Sequence, residues 1–269
     1  MPARPRLARL VPLLVLACAL VPAPARAQDD DDGPDDAAPR RRPTQGVTLG
    51  AEGYGVAIGD VPRVRGLRIN WRDEHLRRVD GINLTLWAPR DAGGEINGLA
   101  VGLAAPGADR IRGIAVGGLA VVAGEELSGI NLAGIAGVSG GDMRGVNLVG
   151  AAVVAQGRLE GVSVGGLAAV TQGGAVGLTA GGLATVSERD MTGANIGGLA
   201  VVTQGDLRWL SAGGLAVVAE GDATGANVGG LAVVAQGALR GVTLGGLATV
   251  TEGDAVGVNL GGLGLVTRA

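Results

Sequence analysis

The chain repeats nearly the same segment every 16 residues, and this period restricts the possible folds more than any other feature of the sequence. GANVGGLAVVAQG starts at residue 225, GVTLGGLATVTEG at 241 and GVNLGGLGLVTRA at 257. Aligned on the Gly-Gly pair, the units start at 117, 133, 149, 165, 181, 197, 213, 229, 245 and 261, without an insertion or deletion. Looser copies start at Gly66, Gly81, Gly98 and Gly113. A fixed period of this kind indicates a solenoid or another repeat array.

The composition of the unit excludes a helical repeat. Three to five glycines in each unit would cost a helix about 3–5 kcal/mol relative to alanine. The alternation Val-Asn-Val followed by Leu-Ala-Val-Val instead predicts two short β-strands. The Gly-Gly pair and the Gln/Glu-Gly-Asp segment are typical of turns, where glycine supplies positive φ. We therefore predict an all-β fold.

Two architectures satisfy this pattern. In a β-solenoid each unit is one coil, and residue n stacks on residue n+16 about 4.8 Å away, which requires a constant unit length. In an antiparallel up-and-down meander or barrel each unit is one strand and a turn, as the alternation of GDATGAN at 221–227 with GALRGVT at 237–243 allows. A membrane barrel should also show aromatic girdles, and the chain has one Tyr, three Trp and no Phe. The solenoid is preferred.

A 16-residue coil is thin, so we expect its inside to be filled by a file of aliphatic side chains, about four Leu or Val per unit. Burial of each contributes about 1.5–3 kcal/mol when neighbouring coils cover it. Like residues should stack into ladders. The predicted structural ladder consists of Leu167, Leu183, Leu199, Leu215, Leu231 and Leu247 with Val170, Val186, Val202, Val218, Val234 and Val250.

The start of the chain predicts export. Residues 1–27 combine three early arginines, a short apolar stretch and an Ala-Arg-Ala cleavage site, which is typical of a signal peptide. Cys18 follows Val-Leu-Ala, which resembles the box at which bacterial lipoproteins are acylated, so lipidation there is an alternative. Residues 28–45 are predicted to be a charged disordered tether. Residues 46–100 follow as an irregular β segment with degenerate repeats, and residues 101–269 as the regular array.

The net charge and the absence of known sequence motifs exclude several classes of function. The chain has 22 basic and 25 acidic side chains, and removal of residues 1–27 takes away four arginines, which leaves 18 minus 25, or −7. An acidic chain without basic patches is not expected to bind nucleic acid. The sequence also has no phosphate-binding loop, dinucleotide-binding motif or nucleophile elbow. We predict no enzymatic activity and no cofactor.

The repeats resemble those of bacterial exported proteins of the Leptospira-type surface repeat kind, which carry tandem G-[VL]-x-[VIL]-G-[GL]-L units. The segments GINLTLW at 81–87 and GVNLGGL at 257–263 are similar to such units, and the resemblance extends over about residues 66–269. It implies a cell-envelope or surface location. It implies no activity and no catalytic residues.

A few polar and aromatic residues are candidate site residues. His75 lies beside Asp73 in WRDEHLRR, where a solvated turn is favoured over a metal or catalytic site. Aspartates that recur after a glycine, at 142, 206, 222 and 254, are interpreted as solvated turn charges rather than a calcium site. Trp209 replaces a repeat glycine. It is expected outside the coil, either as a contact residue or as a tolerated substitution.

These observations predict a non-enzymatic exported protein with a structural or adhesive role, in the periplasm, at the cell surface or in the outer membrane. One alternative is an outer-membrane barrel or membrane-associated assembly, and another is a ligand-binding repeat surface. The unit at 257–269 keeps the repeat register without a polar cap. We therefore predict self-association through that unit, because an exposed strand is a template for pairing.

Overall fold

The structure is a computed structural model that describes residues 46–51, 54–73, 75–89 and 93–268. The predicted signal peptide, the tether and Cys18 lie outside these residues. The described part contains strands and no helix. The strands are β1 (Gly46–Ala51), β2 (Tyr54–Gly59), β3 (Arg63–Asn70), β4 (Arg78–Thr85), β5 (Glu95–Gly102), β6 (Gly107–Gly117), β7 (Ala120–Ala133), β8 (Ala136–Ser139), β9 (Asp142–Val149), β10 (Ala152–Ala155), β11 (Leu159–Gly165), β12 (Ala168–Thr171), β13 (Ala175–Gly181), β14 (Ala184–Ser187), β15 (Met191–Gly197), β16 (Ala200–Thr203), β17 (Leu207–Gly213), β18 (Ala216–Ala219), β19 (Ala223–Gly229), β20 (Ala232–Ala235), β21 (Leu239–Gly245), β22 (Ala248–Thr251), β23 (Ala255–Gly261) and β24 (Gly264–Thr267).

Strands of consecutive coils pair in parallel, residue n with residue n+16. In β12, β14 and β16, Val170 lies opposite Val186, and Val186 lies opposite Val202. The N–H of Leu183 donates to the carbonyl of Leu167 at 2.7 Å, and the same bond recurs in the following coils. The predicted β-solenoid is therefore confirmed, and the antiparallel meander or barrel is wrong.

The irregular units join the same ladder. Gly66, Gly81, Gly98 and Gly113 lie opposite one another in β3 to β6. Most of their unequal spacing is taken up by the segments between the strands, and the register of β6 against β7 shifts between Ala108 and Arg110. The pair β1 and β2 is antiparallel.

One coil consists of a short strand and a longer one. We number each unit from the first glycine of its pair, so that Gly197 is position 1 and Ala212 is position 16. Positions 4–7 form the short strand, and positions 11 to the next position 1 form the longer strand. The longer strand bends at position 13, where Gly193 has a φ of 115°. Between the strands, the chain doubles back so tightly that a Cβ on Gly213 would lie 2.1 Å from the carbonyl oxygen of Ala216.

The inside of the coil is lined by aliphatic side chains and by small polar ones. Side chains alternate between the two faces of a strand, and in β16 Val201 and Thr203 are buried while Ala200 and Val202 are not. Positions 5, 7, 11 and 15 point inward throughout the regular array. Only position 11 carries large side chains there. These are Leu127, Met143, Leu159, Met191, Leu207 and Leu239.

Aliphatic side chains do fill the interior, but the prediction that the ladder residues supply them is wrong. The leucines at position 3, from Leu167 to Leu247, are 46–52% exposed, and the valines at position 6 are half-buried. Successive side chains of a strand point to opposite faces, so Val202 could point into the coil only if Val201 and Thr203 pointed out of it. The interior of each coil is therefore filled by position 5, most often Val, and by a Leu, Met or Ala at position 11, together with smaller side chains.

A file of polar side chains at position 15 runs along the interior instead. The amide of Asn131 donates to the Oδ1 of Asn147 at 2.7 Å, and Asn147 donates to the Oγ of Ser163 at 3.1 Å. Further along the array, Asn195 and Asn227 are completely buried, and their amide groups have no hydrogen-bond partner within the described residues. The interior is therefore more polar than the outer surface of the same strands.

Candidate functional site

The outer surface of the regular array carries a continuous aliphatic wall. We define this wall as positions 3, 4, 6, 14 and 16 of the coils between Ile114 and Val266. Each of these five columns has ten members, and every member is Ala, Val, Leu, Ile or Gly. None of these residues is buried. A column-by-column restriction to apolar residues at solvent-facing positions requires an explanation other than core packing.

The wall has two sides that meet at a convex corner. One side consists of positions 14 and 16 on the longer strands, and the other of positions 4 and 6 on the short strands. The leucines of position 3 form the ridge between them, at the corner where β11 ends at Gly165 and β12 begins at Ala168. From Leu119 to Leu263 the ridge spans nine coil steps, or about 43 Å at about 4.8 Å per step.

On the outer surface, polar and charged side chains are confined to a strip at positions 8–12. Arginines recur at position 12, next to the wall, and they are paired within the strip. Arg144 contacts Asp142 at 2.7 Å and Glu160 at 3.1 Å, and Arg208 contacts Asp206 at 2.8 Å. The coil is therefore amphipathic in cross-section, with an aliphatic wall and a narrower strip of paired charges.

Trp209 lies at position 13, on the border between wall and strip. Its φ is 94°, in the region that favours glycine, and the other coils have glycine there. The indole is 75% exposed. It lies beside a shallow depression of about 580 Å³ that Arg208, Leu210, Thr224 and Gly225 also line. A bulky residue held at positive φ costs about 1–3 kcal/mol, which makes it a candidate functional residue.

His75 lies in an exposed bend, as predicted, but Asp73 in the same segment is not solvated. His75 is exposed and accepts or donates a hydrogen bond at 2.8 Å to Asp60, but Asp73 is completely buried. The Asp73 carboxylate accepts from Arg68 at 2.7 Å, from Thr85 at 2.8 Å and from the backbone N–H of Gly107 at 3.3 Å. This polar cluster fills the first coils, where the regular repeat does not yet supply a core. Sequence reasoning missed it because the partners come from different coils.

The recurring aspartates have a structural role that the sequence did not reveal. The Oδ1 of Asp222 accepts from the backbone N–H of Ala238 in the next coil at 2.7 Å, and Asp206 accepts from Asp222 in the same way at 2.9 Å. A Cβ on Gly237 would lie 2.2 Å from that Asp222 oxygen. The carboxylate therefore extends the ladder across the turn, and the adjacent glycine makes room for it.

A polar groove runs beside these turns. Its volume is about 400 Å³, and Gln156, Gln172, Glu188 and Gln204 of position 8 line it with Arg158. This is where the ligand-binding alternative would place a polar ligand.

The described residues contain no cluster of three or more His, Cys, Asp or Glu side chains arranged to hold a metal ion. In the same part of the chain, no helix has the length and apolar character of a membrane span. Comparison of the chain with protein-family models, with curated proteins and with solved structures found no match. The geometry of the aliphatic wall is thus the main guide to function.

Proposed function

We propose that this chain is a non-enzymatic, exported component of a bacterial cell envelope with a structural or adhesive role. The observation that carries the proposal is the uninterrupted parallel ladder of regular coils with an aliphatic outer surface. The export part of the proposal is based on the sequence of residues 1–27, and the surface location on the resemblance of the repeats.

The ladder supports a structural role because each coil is bonded to both neighbours along the whole array. Strand residues pair coil to coil, and residues of the corners do the same, as Gly182 and Leu183 do with Gly165 and Leu167 at 3.1 and 2.7 Å. Stability in such an array is a sum over nearest neighbours, so the array behaves as a quasi-one-dimensional element.

The roles of the polar groups also support a non-enzymatic protein. Asp73 is held in a buried cluster by donors from several coils, and Asp206 and Asp222 accept from backbone N–H groups. These carboxylates hold the coils together.

A membrane-associated assembly is the second candidate, and the aliphatic wall favours it. An exposed apolar patch on an ordinary soluble monomer is about 300–600 Å², and this wall extends over ten coils.

Cell fractionation tests the proposal. A tagged chain expressed in a Gram-negative host is expected in the envelope fraction, and a variant that lacks residues 1–27 is expected in the cytoplasm as the matched control. An alkaline wash of the membranes then separates a peripheral component from an integral one. Recovery of the full chain in the cytoplasm, at the level of the control, would contradict the proposal.

A further inference from the structure

We propose that the aliphatic wall is a lipid-docking surface, which lies on a bilayer with Trp209 at the level of the headgroups. This inference rests on the proposed envelope location and adds the partner: a phospholipid surface, contacted by the outer face of a β-solenoid.

The size of the wall is the first argument. Each side is about four residues wide, or about 13 Å, and about 43 Å long, which gives about 560 Å² per side and about 1,100 Å² for both. This exceeds the largest apolar patch of a typical soluble monomer, about 300–600 Å². A wall of this area requires an apolar partner.

The shape of the wall favours a bilayer over a second copy. The two sides diverge from the ridge of Leu167, Leu183 and their equivalents, because the chain turns back on itself at positions 1 to 4. Two convex walls contact each other through one side of each. That contact provides about 560 Å² per partner, whereas a stable interface of standard size buries about 800 Å². A ridge that enters the boundary between headgroups and acyl chains is contacted by lipid on both sides.

The backbone of the wall meets the requirement that hydrocarbon imposes. Every backbone polar group in contact with lipid has to be bonded within the protein. At the exposed ridge the N–H groups of Gly198 and Leu199 donate to Gly181 and Leu183 of the preceding coil at 3.0 and 2.7 Å. A turn in an ordinary loop leaves such groups to water.

Trp209 marks the edge of the contact. Its indole has an apolar body and a polar N–H, the combination that places tryptophan at membrane interfaces. It stands between Leu210 of the wall and Arg208 of the strip, and its neighbours in the adjacent coils, Gly193 and Gly225, leave it protruding. A residue kept at positive φ for packing would be buried, and this one is 75% exposed.

Apolar contact, not charge, provides the binding. The guanidinium of Arg208 is paired with Asp206, and the chain beyond residue 27 carries 18 basic and 25 acidic side chains. The inference therefore commits to zwitterionic lipid as a sufficient partner, with an affinity that rises or stays constant as salt is added, because screening weakens only the charge terms.

The test uses the purified chain with Trp71→Phe and Trp87→Phe, so that Trp209 is the only source of tryptophan fluorescence. Phosphatidylcholine vesicles are expected to shift its emission to shorter wavelength, to protect it from acrylamide and to float the chain in a density gradient. A phosphatidylglycerol-containing vesicle is the second probe, and binding that requires it and disappears in salt would overturn the inference.

Matched variants locate the surface. Leu199→Asp with Leu231→Asp changes the ridge, and Gln204→Asp with Gln236→Asp changes the polar strip of the same two coils by the same charge. The ridge variant is expected to partition at least about tenfold more weakly, since each carboxylate has to remain in water. The strip variant is expected to bind like the parent. Circular dichroism and hydrogen exchange show whether both variants remain folded.

Three other outcomes would each overturn either the lipid inference or the proposed function. An emission shift that appears without vesicles and grows with protein concentration, together with dimers in light scattering, would assign the wall to a second copy and overturn the lipid inference. Fractionation with the envelope but no vesicle binding would leave the proposed function standing and remove the inference. Vesicle binding by a chain that stays in the cytoplasm would remove the proposed function instead.

Discussion

The buried carboxylate of Asp73 offers the sharpest test of how the array is held at its first coils. Asp73→Ala removes the acceptor of hydrogen bonds from Arg68, Asn70, Asn83 and Thr85, at 2.7 to 3.0 Å. It also leaves the Arg68 guanidinium, whose side chain is 0% exposed, with the partly exposed Asp60 at 3.3 Å as its remaining carboxylate. We expect a large destabilisation from a single truncation.

The magnitude follows from what remains buried. Removing one partner of a buried ion pair costs about 3–5 kcal/mol, because the other charge stays desolvated without compensation. Arg68→Met with Asp73→Ala removes both charges, and it is expected to lose at least about 1 kcal/mol less than the sum of the two single variants. Asp80→Asn is the control. Its carboxylate is partly exposed and paired with the exposed Arg78 at 3.0 Å, and surface pairs contribute about 0.2–1 kcal/mol.

The assay has to resolve where stability is lost. Urea denaturation gives the total free energy, and hydrogen exchange by mass spectrometry separates peptides of residues 54–89 from those of β15 to β24. Because coils contact only their neighbours, exchange in the first coils should accelerate while the distant coils keep their protection. A loss below about 1 kcal/mol for Asp73→Ala, equal to that of the control, would show that the buried carboxylate does not hold the first coils.

Four further predictions follow from the coil geometry. We expect Trp209→Gly to be more stable than Trp209→Ala by about 1 kcal/mol in urea denaturation, because φ at this residue is 94°. This is the reverse of the usual order of Gly and Ala in strands. If the Ala variant is the more stable one, the backbone at this residue is not strained. Deletion of the whole unit 213–228 should leave the circular dichroism spectrum and cooperative unfolding intact. Deletion of Val217 alone should lower the free energy of unfolding by several kcal/mol, since it shifts every later residue out of register. Equal stability of the two deletion variants would contradict the stacking of coils. The pKa of Asp80 is lowered by the hydrogen bond from Asn97 and by Arg78. The charged form of Asp80 therefore stabilises the fold above the unfolded pKa, and this contribution disappears as the pH falls through the folded pKa. Asn97→Ala should raise the pKa of Asp80 in an NMR titration, and an unchanged pKa would refute the assignment. The self-association predicted through 257–269 should appear as concentration-dependent light scattering, and a monomer at every concentration would count against it.

The strands and their register could be predicted from the sequence because both depend on spacing alone. An uninterrupted 16-residue period fixes which residues lie opposite one another, and Gly66, Gly81 and Gly98 do so even where the spacing changes. The direction of the side chains could not be predicted in the same way. Aliphatic residues occupy both faces of Ala200–Thr203. The sequence therefore shows which side chains share a face, but it does not show which face points into the coil.

A signal for the correct sense is present in the substitution pattern. Position 5 exchanges Val with Thr, as in Val201 and Thr249, and position 7 exchanges Ala with Thr or Ser. Val and Thr have nearly the same shape, so a packed interior site can accept either one, and the smaller Gly137 and Ala169 also occupy position 5. Position 3 and position 16 never become polar. The cluster around Asp73 left no such signal, because its members occur once.

The distribution of polarity across the coil supports the proposed lipid contact more directly than any single residue. The polar file inside the coil is bonded along the axis from Asn131 to Ser163, whereas the buried amides of Asn195 and Asn227 have no hydrogen-bond partner within the described residues. The bonds common to all coils are those of the backbone ladder, which are independent of what surrounds the coil. The free energy that holds the coils together thus depends little on the environment of the wall. The outer aliphatic side chains are then left to stabilise contact with an apolar surface, and their conversion to carboxylates on Leu199 and Leu231 should abolish that contact while the coils stay folded.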